Sequence, residues 1–101
     1  MLAHNVFFTL LDSSPAAIES LLGACRKYLT PHEGIAFFAC GTLSDLDRPV
    51  NVRDFHVGLH IIFESREAHD AYQKAPLHKK LVEEHQASWA EVRVFDTDCP
   101  S

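Results

Sequence analysis

Basic runs are missing from this chain. No cluster of lysine or arginine exceeds the Lys79-Lys80 pair, and 9 basic residues face 14 acidic ones for a formal net charge of −5. Nucleic-acid binding rests on neutralising phosphates with cations, so it is disfavoured. Anionic membrane surfaces are disfavoured for the same reason. No apolar stretch approaches the roughly 20 residues that cross a bilayer as a helix. The opening Met1-Leu2-Ala3-His4 carries neither the basic lead nor the cleavage site of a secretory signal. Cysteine is scarce: Cys25, Cys40 and Cys99 are far apart and form no C-x-x-C spacing. They read as three free thiols in a reducing cytoplasm. A structural zinc site takes four good ligands, and none gather along the sequence. Neither a metal nor a cofactor is therefore expected. Internal repeats and low-complexity segments are absent too.

What remains is an ordinary globular composition. With 101 residues, 47% of them apolar and 23% charged, the chain fits one domain over residues 1–101, with a core from 2 to 96 and a tail from 97 to 101. Leu2 to Leu11 is nearly all apolar and suits a buried strand. Ser14 and Pro15 then supply a cap and a first turn for a helix over residues 15–29, whose apolar stripe is Ile18, Leu21, Leu22, Cys25, Tyr28 and Leu29. Thr30 to Gly34 breaks it. A strand from Ile35 to Leu43 follows, with Ile35, Phe37 and Ala39 on one face and Ala36, Phe38 and Cys40 on the other. Ser44 to Arg53 is the longest loop.

From Phe55 to Phe63 the alternation is clearest: Phe55, Val57, Leu59, Ile61 and Phe63 against His56, Gly58, His60 and Ile62. Ser65 caps a helix over residues 66–75, Pro76 ends it, and a second helix spans 77–87. Trp89 to Phe95 is the last strand. This β-α-β-β-α-β order is the α+β ferredoxin-like pattern: a four-stranded antiparallel sheet with its helices on one face. The uncovered face would carry Phe7, Leu11, Phe37 or Phe38, and Ile62, too apolar to leave in water. A second copy packed there makes a symmetric dimer. His56 and His60, opposite the apolar row, would face that partner, and protonating them near pH 6 would weaken the dimer.

Three residues stand apart as chemistry. His4 sits in an apolar row with Val6, Phe8 and Leu10, where an imidazole needs a partner. Tyr72 lies on the inner stripe of its helix beside Ala68, Ala71 and Ala75. His78 opens the following helix, where the backbone dipole disfavours a positive charge, so a neutral imidazole there can serve as a general base. Asp96, at the end of a strand, would orient it. His32, His69 and His85 read as solvated surface residues.

The block Phe63-Glu64-Ser65, Tyr72, Pro76-Leu77-His78, together with Ala3 to Phe8 and Val92 to Asp96, resembles the stress-responsive α/β-barrel (Dabb) family. The resemblance covers essentially the whole chain and implies a dimeric α/β barrel. Some members of that family are polyketide cyclases that need no cofactor. Their pocket lies between sheet and helices, where a tyrosine and a histidine bind the substrate carbonyl and abstract a proton for an aldol-type ring closure. Tyr72, His78 and His4 match those positions, and Asp96 falls in the terminal Phe-Asp. Leu21 and Leu22 stand where the cyclases carry bulkier aromatics.

Three functions follow. One is binding of a small apolar carbonyl or phenolic ligand by His4, Val6, Phe8, Leu22, Leu59, Tyr72 and His78, with catalysis by His78, Tyr72 and Asp96 as its extension. The second is a structural, oligomeric stress protein, expected if Phe8, Leu22 and Leu59 fill the pocket. The third is a monooxygenase of the same dimeric fold, with Trp89 as its only support.

Overall fold

A computed structural model describes residues 1–100, and Ser101 lies outside the described residues. The elements run β1 (Leu2–Leu10), α1 (Pro15–Tyr28), β2 (Ile35–Thr42), β3 (Val57–Phe63), α2 (Arg66–Lys74), α3 (Pro76–His85), a short 3-10 turn (Gln86–Ser88) and β4 (Trp89–Asp98). The sheet order is β2-β3-β1-β4, antiparallel throughout. This is the ferredoxin-like arrangement, with β1 and β3 at the centre.

Period-two alternation creates the core. On β1, Leu2, His4, Val6, Phe8 and Leu10 turn toward the helices and are buried. Across from them Val57, Leu59, Ile61 and Phe63 are at most 2% exposed. Each such side chain contributes roughly 1.5–3 kcal/mol by leaving water. The matching stripe of α1 is Leu21, Leu22, Ala24, Cys25 and Tyr28. Ser14 caps α1 by accepting the Ala17 N–H at 3.2 Å, and Ser65 caps α2 by accepting the Ala68 N–H at 3.1 Å. The two helices expected around Pro76 are both present. Tyr28 donates its hydroxyl to Glu84 at 2.9 Å and so ties α1 to α3. Gly34 has a φ of +83°, and a Cβ there would lie 2.4 Å from that of Ala68, so the turn into β2 demands glycine. Among the described residues no helix is long and apolar enough to cross a membrane.

Several expectations need correction. Phe55 does not join the inner row. It precedes β3 and meets Phe7 on the opposite face, ring centroids 4.8 Å apart, because the regular alternation begins only at Val57. The two-face assignment of β2 fails at its start: a register shift between Ile35 and Phe37 returns Ile35 to the face of Phe38, opposite Phe63. β4 also outruns its expected end. Thr97 pairs with Ala3 and Asp98 with Leu2, and the Cys99 N–H donates to the Met1 carbonyl at 2.8 Å. Residues 97–99 therefore extend the sheet rather than trail from it.

The uncovered sheet face is apolar, as expected. Phe7, Phe55 and Phe95 form one ring cluster there, and Phe37 and Phe95 are more than half exposed. His60 lies on this face against Phe7, its Nδ1–H donating to Asn5 Oδ1 at 2.8 Å. His56 is committed within its own chain instead. Its Nδ1 accepts the Leu10 N–H at 2.9 Å, where β1 loses its regular register with β4.

Candidate functional site

The helix break at Pro76 builds the site. Pro76 has no N–H and sits at the first position of α3, and Ala75 ahead of it is extended at φ −67°, ψ 143°. No side chain caps this helix start. The chain turns sharply between α2 and α3, and the last inner residue of α2 meets the first turn of α3. Tyr72 and His78 thus come together with ring centroids 4.9 Å apart, edge to face.

Both border a cavity of about 180 Å³ between sheet and helices. Its sheet side is His4, Val6, Phe8, Leu59, Val92 and Val94, and Leu81, Val82, Gln73 and Trp89 close other sides. Val92 and Val94 are inner-face residues of an edge strand that the helices do not cover, which leaves the cavity open toward β4. The volume is near that of a cavity able to hold one benzene-sized ring, and below the roughly 300 Å³ at which drug-sized ligands begin to fit. Phe8 and Leu59 line the space without filling it. Leu22, expected at the site, is buried in the core and does not reach it.

Electrostatics divides the two polar groups. Burial raises the Tyr72 phenol well above its ordinary value, and the Cys25 thiol adds to the effect. Tyr72 is therefore a hydrogen-bond donor at neutral pH and not a base. Burial pushes His78 below the usual imidazole value, and His4, His32 and His69 push in the same direction. The nearby dipole of α3 opposes the imidazolium as well. His78 is consequently neutral near pH 7, the form that accepts a proton. Neither the Tyr72 hydroxyl nor the His78 ring has a hydrogen-bond partner among the described residues. Trp89 lines the side toward β4, and its Nε1 is buried with no hydrogen-bond partner among the described residues.

Asp96 is not where expected. The antiparallel register sets it directly opposite His4, and the His4 Nδ1–H donates to its carboxylate at 2.6 Å. The partner that the buried His4 needed is thus Asp96, and His78 is left unsupported by it. Two histidines read as solvated also belong here. His32 packs edge-on against Tyr72 at 5.1 Å while its Nε2–H donates to the Tyr28 carbonyl at 2.8 Å. His69 lies 5.0 Å from His4 and 5.5 Å from Phe63, ring to ring. Sequence spacing carried one hint of the latter: His69 is three residues before Tyr72, one helical turn on the same face. For His32 no such signal existed, because a turn has no period. Trp89 and Gln73 were missed as lining residues as well. Cys25 is chemically inert, its thiol pushed up to about 12 by burial.

A larger groove of about 350 Å³ lies on the uncovered face, between Phe7, Val52, Phe55, Arg93 and Phe95. It holds no pair of groups suited to proton transfer.

Comparison with known proteins is consistent with this frame. A protein from Arabidopsis thaliana of known structure is 24% identical, with a TM-score of 0.81 over 100% of this chain and 97% of that one. A dimeric ferredoxin-like protein of unknown function from Thermobifida fusca is 16% identical, with a TM-score of 0.79 over 97% of this chain and 90% of that one. A hydroxynitrile lyase from Passiflora edulis is 17% identical, with a TM-score of 0.76 over 95% of this chain and 90% of that one. No curated protein matches the sequence significantly. The sequence profile of the stress responsive A/B barrel domain matches residues 2–99, which contain every element of the sheet and the whole cavity, and the chain belongs to that family.

Proposed function

We propose that this protein binds a small, single-ring carbonyl or phenolic compound in the cavity between sheet and helices. The observation that carries this reading is the pairing of Tyr72 and His78 on an apolar cavity of about 180 Å³, each without a protein hydrogen-bond partner among the described residues. Both groups border the open cavity rather than protein partners, which leaves them available to a ligand there. The Tyr72 hydroxyl donates to the ligand oxygen, and neutral His78 accepts a hydroxyl or an acidic C–H proton.

A second reading is catalytic. His78 as base and Tyr72 as donor to a developing oxyanion are the two groups an enolisation or aldol-type closure needs, with no cofactor. The carboxylate at Asp96 serves His4 in this scheme and acts on His78 only through it. A purely structural role is less well supported, because Leu22 is displaced and the cavity stays open. The monooxygenase reading gains nothing from Trp89, whose indole serves the cavity wall.

The uncovered face with Phe7, Phe37, Phe95, Ile62 and His60 supports a homodimer of this chain, in line with the dimeric relative from Thermobifida fusca. His56 is no part of that surface in this proposal. Three unpaired cysteines favour a reducing, cytoplasmic setting.

The test is a thermal-shift and calorimetric screen with phenols and short cyclic ketones, repeated on His78→Ala. A ligand at a hundred times its Kd stabilises the wild type by about 2.7 kcal/mol. If no compound raises the transition, or His78→Ala responds equally, the cavity is not the binding site.

A further inference from the structure

We propose that His4, His69 and Asp96 form a binding site for one divalent transition-metal ion. The site goes beyond the ligand cavity: His4 is shared with it, whereas His69 and Asp96 lie outside its lining. One ligand atom from each of the three residues can be chosen so that all lie within 4.8 Å of one another, and because donors about 2.0–2.2 Å from one ion sit roughly 3–3.5 Å apart, the three side chains close in on the ion by up to about an ångström as it binds. The three come from β1, α2 and β4, and only the fold assembles them.

The chemistry of the set selects the ion. Two imidazoles and one carboxylate match zinc, cobalt, nickel or ferrous iron, whereas magnesium and calcium favour oxygen donors throughout. One negative charge from Asp96 offsets part of the ion's charge, and the remaining coordination positions stay open to water. His69 is already oriented for the task. Its Nδ1–H donates to Asp70 Oδ1 at 3.0 Å, which fixes the tautomer and leaves the Nε2 lone pair free for an ion. The Gln73 amide approaches that nitrogen only to 3.5 Å, too long to hold it.

The His4–Asp96 contact, 2.6 Å between Nδ1 and Oδ1, has a proton between the two atoms. Two donors on one ion at these bond lengths sit roughly 3 Å apart, so Asp96 must move by a few tenths of an ångström. It is free to do so, with its side chain 43% exposed. The bound ion takes the place of the Nδ1 proton, which leaves to solvent. The same exposure gives the ion its route in.

The test is calorimetric titration of the full chain with Co²⁺ and with Zn²⁺ under a thiol reductant, read alongside the Co²⁺ absorption spectrum. One saturable site per chain is expected, weakened at least about tenfold by His69→Ala and by Asp96→Asn, and by a similar factor in Asp70→Asn through loss of the orienting bond. Cys99→Ser, which removes a partly buried thiol outside the site, leaves binding unchanged. His69→Gln serves as the second variant if His69→Ala does not fold, judged by its metal-free thermal transition. Absence of a saturable site, or affinity that survives both His69 and Asp96 substitutions, overturns the proposal.

Discussion

Removing a single oxygen, in Tyr72→Phe, separates a binding role from a structural one. The Tyr72 ring is held by Phe63 at 5.0 Å, His32 at 5.1 Å and His78 at 4.9 Å, contacts that phenylalanine keeps. The hydroxyl itself bonds no protein group among the described residues, so the free protein loses no internal hydrogen bond. Folding stability should therefore change by no more than about 0.5 kcal/mol. Ligand binding should suffer, because the phenol donor that meets the ligand oxygen is gone. A neutral hydrogen bond is worth about 0.5–1.5 kcal/mol net, which corresponds to about a 2- to 12-fold rise in Kd. Urea denaturation gives the first quantity and isothermal titration with the best phenol or ketone gives the second. Tyr72→Ala provides the contrast, since loss of the ring should cost about 3–5 kcal/mol of stability. If Tyr72→Phe lowers stability by more than about 1 kcal/mol and leaves Kd unchanged, the hydroxyl serves the fold and the proposed site is wrong.

Other outcomes follow from the same geometry. His78 has a folded-state pKa below its unfolded value, so the unfolded chain binds more protons between the two. Its contribution to stability is complete above the unfolded value near 6.5 and is lost as pH falls through the folded value, and His78→Asn should flatten that part of a urea-midpoint profile between pH 7 and 5. Phe95→Asp places a charge on the uncovered face, and because a two-fold interface repeats the change on both subunits, the dimer dissociation constant should rise at least about a hundredfold and the sedimentation profile shift toward monomer. A sedimentation coefficient that does not change would move the interface elsewhere. Gly34→Ala combines a positive φ with a clash against Ala68 and should cost about 1–3 kcal/mol in chemical denaturation, without altering ligand affinity per folded molecule.

The elements were legible because their signals are local. Val57 to Phe63 alternates with period two, α1 carries its stripe at helical spacing, and Ser14, Ser65 and Pro76 mark helix starts through chemistry that acts within a turn of the chain. Phe55 broke the pattern because periodicity says nothing about where a strand begins to pair. The Ala36 region broke it because one extra residue in a ladder inverts which face follows, and a bulge is set by the partner strand. Tyr72 and His78 were visible as a pair because Pro76 joins them over six residues.

Partners drawn from distant elements were not visible in that way. Sequence position alone offers Asp96 to His78, yet β1–β4 register gives it to His4, 92 positions away along the chain. His32 and His69 looked like surface residues by neighbourhood, and packing of the turn and of α2 over the sheet brings them against Tyr72 and His4. The order of elements, the buried rows of β1 and of β3 from Val57, and the residues able to do chemistry follow from local pattern. Which of those residues meet is set by the packing of the whole fold. Side-chain pairing across the sheet depends on register, and cavity shape depends on how far helices cover an edge strand, two properties that no local pattern encodes.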